Sequence, residues 1–122
     1  MSFIKIVRPR DMKPLFLPVN SLAFFWYMTG KDVEIRNSRN WNERTVIDGR
    51  LIKVSKGYSG PSWMGAIGNE IFRGTLDQIL EEFTYERIVP ITGISEYEAH
   101  KKISEMVKDN PKDGYIAFNI IR

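Results

Sequence analysis

The chain has no cysteine and only one histidine, His100, among its 122 residues. Without cysteine it cannot form a disulfide framework or a cysteine-ligated zinc site. One histidine is also too few for a transition-metal site built mainly from imidazole ligands. We therefore expect neither a metal nor another cofactor.

Long hydrophobic runs are missing as well. The most apolar stretch, residues 21–28, is far shorter than the roughly twenty residues that a bilayer-spanning helix needs, so we expect no membrane insertion. The N-terminal residues lack the long apolar run and the small-residue cleavage site of a signal peptide. The expected location is the cytoplasm.

Acidic residues are scarce in the first half of the chain. Residues 1–60 hold eleven Lys or Arg against five Asp or Glu, whereas residues 61–122 hold seven against ten. A basic half that also carries aromatic residues indicates an anionic partner, and nucleic acid is the commonest of these. The alternative, that the basic residues are only solvated surface, stays open.

The length fits a single domain, residues 1–122, that can bury a core without disulfides or metals. Periodicity and turn residues predict an α+β fold. The predicted elements are a strand at 3–7, irregular chain at 8–19, a buried helix at 21–28, a strand at 31–36, a polar loop at 37–44, a strand at 50–55, a Gly-rich loop at 56–62, a strand at 63–72 bent at Gly65 and Gly68, a helix at 75–83, a short strand at 87–89, a helix from 95 to about 108 and a central closing strand at 115–121.

The ends of the three predicted helices carry capping residues. Asn20 or Ser21 and Thr75 are suitable N-caps of the first two helices, and Ser95 begins a capping box for the third. Gly30 is the expected C-terminal stop of the first helix.

The segment after the first helix carries the strongest chemical signal. In an extended strand successive side chains alternate, so Asp32, Glu34 and Arg36 share a polar face that would line a groove. Lys31 lies at the turn, where a flexible side chain would reach over the mouth of that groove. A desolvated Lys31 could act as a base or nucleophile, whereas an ion pair with Glu34 would only support the turn.

A buried helix followed by Lys31, Glu34 and Arg36, then by a basic loop and a Gly-bounded strand, resembles the ASCH domain family of the PUA-like superfamily. The signature of that family is Gly-x-Lys-x-x-Glu-x-Arg. The glycine of the signature corresponds to Thr29, and this chain has Gly30 one place later. The resemblance covers roughly residues 3–122. It implies one ASCH-like domain, folded as a small PUA-like β-barrel with the buried helix before the signature strand and two further helices.

The resemblance and the charge distribution together favour binding of nucleic acid, with RNA as the first expectation, or of a modified nucleotide or nucleoside. In this interpretation Glu34 accepts a hydrogen bond from a base amino group and basic residues hold phosphate. The candidate ligand-binding residues are Lys31, Glu34, Arg36, Arg39, Trp41, Arg44, Lys56 and Tyr58. Trp41 would either stack on a base or fold back against one end of the core.

Two other functions stay open. Some bacterial ASCH proteins are amidohydrolases that deacetylate N4-acetylcytidine with a lysine at the position of Lys31. The resemblance therefore also allows a small hydrolase, an amidohydrolase or a nuclease, with Lys31 as base and Glu34 as proton shuttle. Those enzymes have a threonine in place of Glu34 and need a further glutamate near Thr92, Gly93 and Ser95 of this chain. The last possibility is a protein-interaction barrel whose polar cleft is structural. The oligomeric state is not predicted.

Overall fold

The computed structural model describes residues 7–91, 93–107, 112 and 114–122. Within these residues the chain forms five strands and three α-helices, which is the α+β class that the sequence predicted. The elements are β1 (Leu15–Val19), α1 (Ser21–Thr29), β2 (Val33–Asn37), β3 (Leu51–Lys56), β4 (Ser62–Gly74), α2 (Leu76–Glu82), α3 (Glu96–Val107) and β5 (Tyr115–Ile121). Short 3₁₀ helices lie at Pro9–Asp11 and Tyr85–Arg87. Most of the predicted first strand, residues 3–6, lies outside the described residues.

The strands form one curled sheet with the order β1-β3-β4-β5-β2. β1 runs parallel to β3, and the other neighbours are antiparallel. β5 is almost wholly buried and lies inside the sheet, as its apolar sequence predicted. β1 and β2 are the two edges, and the curl brings them together. Arg36 Nη2 of β2 donates to the Pro18 carbonyl of β1 at 3.4 Å. We call the gap between β1 and β2 the seam.

β4 is bent, as its glycines predicted. The pairing of β4 with β5 shifts register between Ile67 and Ile71, which is the mark of a β-bulge. Gly68 lies against the Asn119 carboxamide so closely that a Cβ would collide with it. Asn119 in turn accepts a hydrogen bond from the Glu70 amide at 3.0 Å. The bulge therefore depends on the missing side chain at Gly68 and on the amide of Asn119.

The predicted N-caps of α1 and α2 and the stop at Gly30 are confirmed, and α3 shows one of the two hydrogen bonds of its predicted capping box. Asn20 Oδ1 accepts from the Ala23 amide at 2.8 Å, and Gly30 ends α1 with a φ of 137°. Thr75 and Gln78 form a capping box at α2. Ser95 Oγ accepts from the Glu98 amide at 3.2 Å at the start of α3.

The interpretation of α1 as a helix buried on every side is wrong. Ala23, Trp26 and Tyr27 are buried, but Leu22, Phe25 and Met28 are each more than half exposed. One side of α1 packs on the sheet, and no described element covers the other. An apolar helix sequence does not show how many sides of the helix pack against other elements.

The expectation of irregular chain at residues 8–19 is wrong for its second part, because Leu15–Val19 forms strand β1. Pro18 made a strand improbable from sequence. However, the Val19 carbonyl accepts from the Gly57 amide at 2.8 Å, on the side of β3. Backbone groups of successive residues in a strand point to opposite sides, so those of Pro18 face the seam. A proline is tolerated on an edge strand where its missing N–H faces no partner.

The prediction of a short strand at residues 87–89 is also wrong. Tyr85–Arg87 forms a 3₁₀ turn instead, and the Val89 amide donates to the Tyr85 carbonyl at 2.8 Å. The Arg87 guanidinium is held by Asp32 at 2.8 Å and by Glu70. The side-chain clamp and the local backbone bonds together hold this segment against the start of β2.

Candidate functional site

The seam opens into a cleft of about 830 Å³. One wall is the edge of β1 at Pro18 and Val19, and the opposite wall is β2 from residue 34 to residue 37. The first turns of α1 and the second half of α3 complete the walls, with Ile88 and Ile91 beside them. We call this the seam cleft.

The free edge of β2 explains why the signature side chains lie here. The Ile120 amide donates to the Asp32 carbonyl, and the Ser38 amide to the Gly114 carbonyl. In the antiparallel register, even-numbered residues of β2 therefore bond to β5, and odd-numbered residues present their backbone groups to the seam. Those groups would be unpaired at an open sheet edge.

No described strand pairs with this edge of β2, and Lys31, Glu34 and Arg36 contact the edge backbone groups instead. Lys31 Nζ donates to the Val33 carbonyl at 2.7 Å, and Glu34 Oε1 accepts from the Ile35 amide at 3.3 Å. Arg36 spans the seam to the Pro18 carbonyl. The three side chains thus satisfy edge backbone groups, and an extended peptide could pair with β2 only after Arg36 had released Pro18.

The sequence predicts that Lys31 reaches over the mouth of the groove, but the structure places it elsewhere. Its ammonium is almost completely buried and donates a second hydrogen bond to the Ile88 carbonyl at 2.8 Å. Glu34 Oε1 lies 3.6 Å from Nζ. Burial lowers the pKa of Lys31, and the Glu34 carboxylate opposes that shift. With acceptors on all these sides, the charged ammonium is the form that fits the site.

Glu34 and Arg36 form the polar centre of the seam cleft. Glu34 Oε2 accepts from Arg36 Nη2 at 3.1 Å. Arg36 is about 30% exposed, and its guanidinium lies over the Trp41 ring, 5.5 Å from the ring centroid. Its Nε and Nη1 groups donate to none of the described residues. A fixed acceptor and several free donors therefore stand side by side.

Tyr27 is a buried polar group that sequence reasoning missed. Its ring lies 5.3 Å from Lys31 Nζ, and its hydroxyl makes no hydrogen bond of ordinary geometry within the described part of the chain. Burial and then the nearby Glu34 carboxylate raise the pKa of Tyr27 well above its usual value. Tyr27 therefore keeps its proton and adds no charge to the cluster.

Helix α3 supplies a wall of the cleft that the sequence did not predict. Lys102, Glu105 and Met106 line the cleft beside the buried Ile103. Met106 is 38% exposed. The amphipathic pattern located the helix, whereas its position opposite β2 follows only from the fold. The predicted hydrolase partner position Thr92 lies outside the described residues.

Trp41 packs against the core, which was one of the two alternatives for this residue. Its ring stacks on Phe118 with a centroid distance of 6.0 Å and an interplanar angle of 18°. It is partly buried, and its contact with the cleft is through Arg36. Trp41 thus supports the guanidinium instead of offering an open face to a base.

Four other predicted ligand-binding residues lie outside the walls of the seam cleft. Arg39 and Arg44 are exposed on the loop after β2. Lys56 and Tyr58 are exposed at the β3–β4 hairpin, where Lys56 pairs in register with Val19 of β1. The structure therefore brings Lys31, Glu34 and Arg36 together and leaves the other four outside the lining of the cleft.

His100 is exposed, with its Nε2 atom 3.0 Å from Asp77 Oδ1. Across the described residues, no group of three or more His, Cys, Asp or Glu side chains is arranged to hold a metal ion. In the same part of the chain, no helix is both long and apolar enough to cross a bilayer.

No protein-family model matches the chain, and no curated protein matches its sequence. A solved structure with a similar fold is the crystal structure of hypothetical protein PH0355, with a TM-score of 0.65 and 17% identity. The match covers 89% of this chain and 98% of that one. At this identity the similarity concerns the fold alone, which the two proteins share over nearly their whole lengths.

Proposed function

We propose that this chain is a PUA-like domain of the ASCH type that binds nucleic acid, RNA in the first instance, and seats one nucleotide, standard or modified, in the seam cleft. Lys31, Glu34 and Arg36 in the order of the family signature support the family proposal. A helix directly before the signature strand and a curled sheet support it further.

The observation that carries the functional proposal is the pair formed by Glu34 Oε2 and Arg36 at 3.1 Å inside the cleft. The edges of nucleobases present hydrogen-bond donors and acceptors on neighbouring atoms. Glu34 can accept from a base amino group while the free donors of Arg36 bind a ring nitrogen, a carbonyl or a phosphate. The volume of about 830 Å³ is in the usual range for a small-molecule site.

The walls of the cleft suit the two faces of a base and its phosphate. Leu22 and Met106, which are exposed and line the cleft, offer apolar surface. Lys102 is exposed among the lining residues of α3 and supplies a further cation. Polar recognition at the centre between apolar walls is the usual composition of a ligand pocket.

The surroundings of Lys31 favour binding over hydrolysis. A general base needs a free lone pair within reach of its substrate. Lys31 Nζ instead donates to two backbone carbonyls at 2.7 and 2.8 Å and is buried behind Glu34. Lys31 therefore positions Glu34, and Glu34 and Arg36 meet the ligand.

The test is a fluorescence-anisotropy titration of single-stranded and duplex RNA and DNA at about 50 and 200 mM salt, since phosphate contacts make affinity salt-dependent. The decisive variant is Glu34→Gln, which keeps the shape of the side chain and removes its charge. We expect it to weaken binding roughly tenfold or more, because a hydrogen bond to a charged group contributes about 1.5–3 kcal/mol.

The matched control is Glu81→Gln, an exposed glutamate on α2 that does not line the cleft. It should leave affinity unchanged apart from a small gain from the lost negative charge. Equal affinities of Glu34→Gln and the parent chain, or no binding of any of the four nucleic acids, would contradict the proposal.

A further inference from the structure

A row of exposed side chains crosses three strands on the outer face of the sheet. Phe16 of β1 is in register with Lys53 of β3, and Lys53 is in register with Met64 of β4. Phe16 is 40% exposed and Met64 is 49% exposed. Tyr58, at 85% exposure, places its ring 5.9 Å from the Phe16 ring. We call Phe16, Lys53, Tyr58 and Met64 the outer patch.

The outer patch has no part in the core. The inward side of the same strands is formed by Leu17, Ile52 and Val54, which are fully buried. Phe16 and Lys53 alternate with these residues and point away from them, and Met64 pairs in register with Lys53. Single exposed apolar residues are common, but a contiguous apolar group on a sheet face is typical of an interaction site.

The strand segments that carry the outer patch hold no acidic residue. Residues 12–31 and 49–69, which contain β1, β3, the β3–β4 hairpin and the first half of β4, include no Asp or Glu. Lys53 lies between Phe16 and Met64 and places its positive charge within the outer patch. The partner of such a surface must have planar or apolar groups and negative charges at close spacing.

We propose that the outer patch is a second binding site, separate from the seam cleft, that takes single-stranded nucleic acid by stacking unpaired bases on Tyr58 and Phe16. Lys53 pairs with a flanking phosphate. Base stacking on exposed aromatic residues beside cations is the common mode of sequence-tolerant single-strand binding. A purely apolar partner would have to bury Lys53 without a counter-charge.

The outer patch is connected to the seam cleft along β1. Phe16 and Pro18 lie on the same face of the strand, about 7 Å apart at the usual rise per residue, and Pro18 lines the cleft. A single strand with one nucleotide in the cleft can therefore continue over Phe16 and Tyr58. Only this continuous path rests on the proposed function of the cleft.

The test compares Tyr58→Ala with Tyr97→Ala, since Tyr97 is a tyrosine of similar exposure (79%) on α3. The probes are a dye-labelled single-stranded RNA of about 12 nucleotides, its duplex, and an abasic strand of the same length. Anisotropy gives the dissociation constant for each. Glu34→Gln is measured beside them to report on the cleft.

We expect Tyr58→Ala to weaken binding of the single strand about tenfold, and to leave the duplex and the abasic strand nearly unchanged, because neither offers an unpaired base. Tyr97→Ala should change none of the three. Lys53→Gln should weaken the single strand and the abasic strand alike, because it removes a phosphate contact.

Unchanged binding of the single strand by Tyr58→Ala would overturn the inference, even if Glu34→Gln lost affinity and the cleft proposal stood. Equal weakening of single strand and abasic strand by Tyr58→Ala would also overturn it, because stacking would not be involved. A loss with Tyr58→Ala but none with Glu34→Gln would support the outer patch and contradict the cleft. No binding of any probe would overturn both.

Discussion

Replacing Lys31 with methionine tests whether this lysine is a structural part of the sheet edge. Methionine keeps most of the apolar stem and removes the ammonium. The Val33 and Ile88 carbonyls would lose donors at 2.7 and 2.8 Å, and Glu34 would lose its cation at 3.6 Å. Removing one partner of a buried ion pair costs about 3–5 kcal/mol, and each buried carbonyl left unpaired costs about 1–3 kcal/mol.

We expect Lys31→Met to lower the free energy of unfolding by about 3–5 kcal/mol, a large part of the roughly 5–15 kcal/mol of a typical domain. The assay is equilibrium unfolding in urea, followed by the emission of the three tryptophans. With a urea dependence of about 2 kcal/mol/M, the midpoint should fall by about 2 M. If water reaches the cleft, the loss in free energy of unfolding should be at the lower end of this range.

Lys53→Met is the matched control, because Lys53 is exposed on β3, and it should change the free energy of unfolding by less than about 0.5 kcal/mol. The double variant Lys31→Met with Glu34→Gln should be less destabilised than the sum of the two single variants by about 0.5–3 kcal/mol. If Lys31→Met shifted the midpoint no more than Lys53→Met does, the ammonium would not be supporting the edge of β2, and a free, reactive lysine would have to be reconsidered.

Three further predictions concern single positions. Tyr27→Phe should leave stability equal or raise it by about 1 kcal/mol at neutral pH, because the hydroxyl that it removes makes no hydrogen bond of ordinary geometry to the described residues. Burial raises the pKa of Tyr27 above 10.0, so the native state holds that proton more tightly than the unfolded chain, and the parent should lose stability relative to Tyr27→Phe as pH rises above about 10. Urea titrations at pH 8 and above pH 10 test both signs, and a marked destabilisation at pH 8 would show that the hydroxyl has a partner. Gly68→Ala should be destabilising by at least about 1 kcal/mol, because its Cβ would collide with Asn119, and a thermal melt equal to that of the parent would refute the bulge geometry. Thr75→Ala should cost about 1 kcal/mol through loss of the α2 cap, which the same melt measures.

Much of the local structure could be predicted from the sequence because its causes are local. Asn20, Thr75 and Ser95 mark helix starts through side chains that bond amides three residues away. The alternation in β2 placed Glu34 and Arg36 on one side of the strand, and the strand period allows no other arrangement. Gly65 and Gly68 likewise predicted the bend in β4.

The errors of sequence reasoning arose where a residue's surroundings come from distant parts of the chain. Pro18 is compatible with a strand only because β1 is an edge, and sheet order decides which strands are edges. Leu22, Phe25 and Met28 have the composition of a buried helix, yet one side of α1 has no partner among the described elements.

By itself the sequence determined the α+β class, the helix starts, and the presence of Lys31, Glu34 and Arg36 in one short segment. Only the tertiary structure decided what these side chains do. The curl of the sheet brings Pro18 to Arg36, and the turn after α2 brings the Ile88 carbonyl to Lys31 from 57 positions away. The role of a buried ammonium depends on which groups accept hydrogen bonds from it. Lys31 therefore became a structural cation, while Glu34 and Arg36 became the polar centre of the cleft.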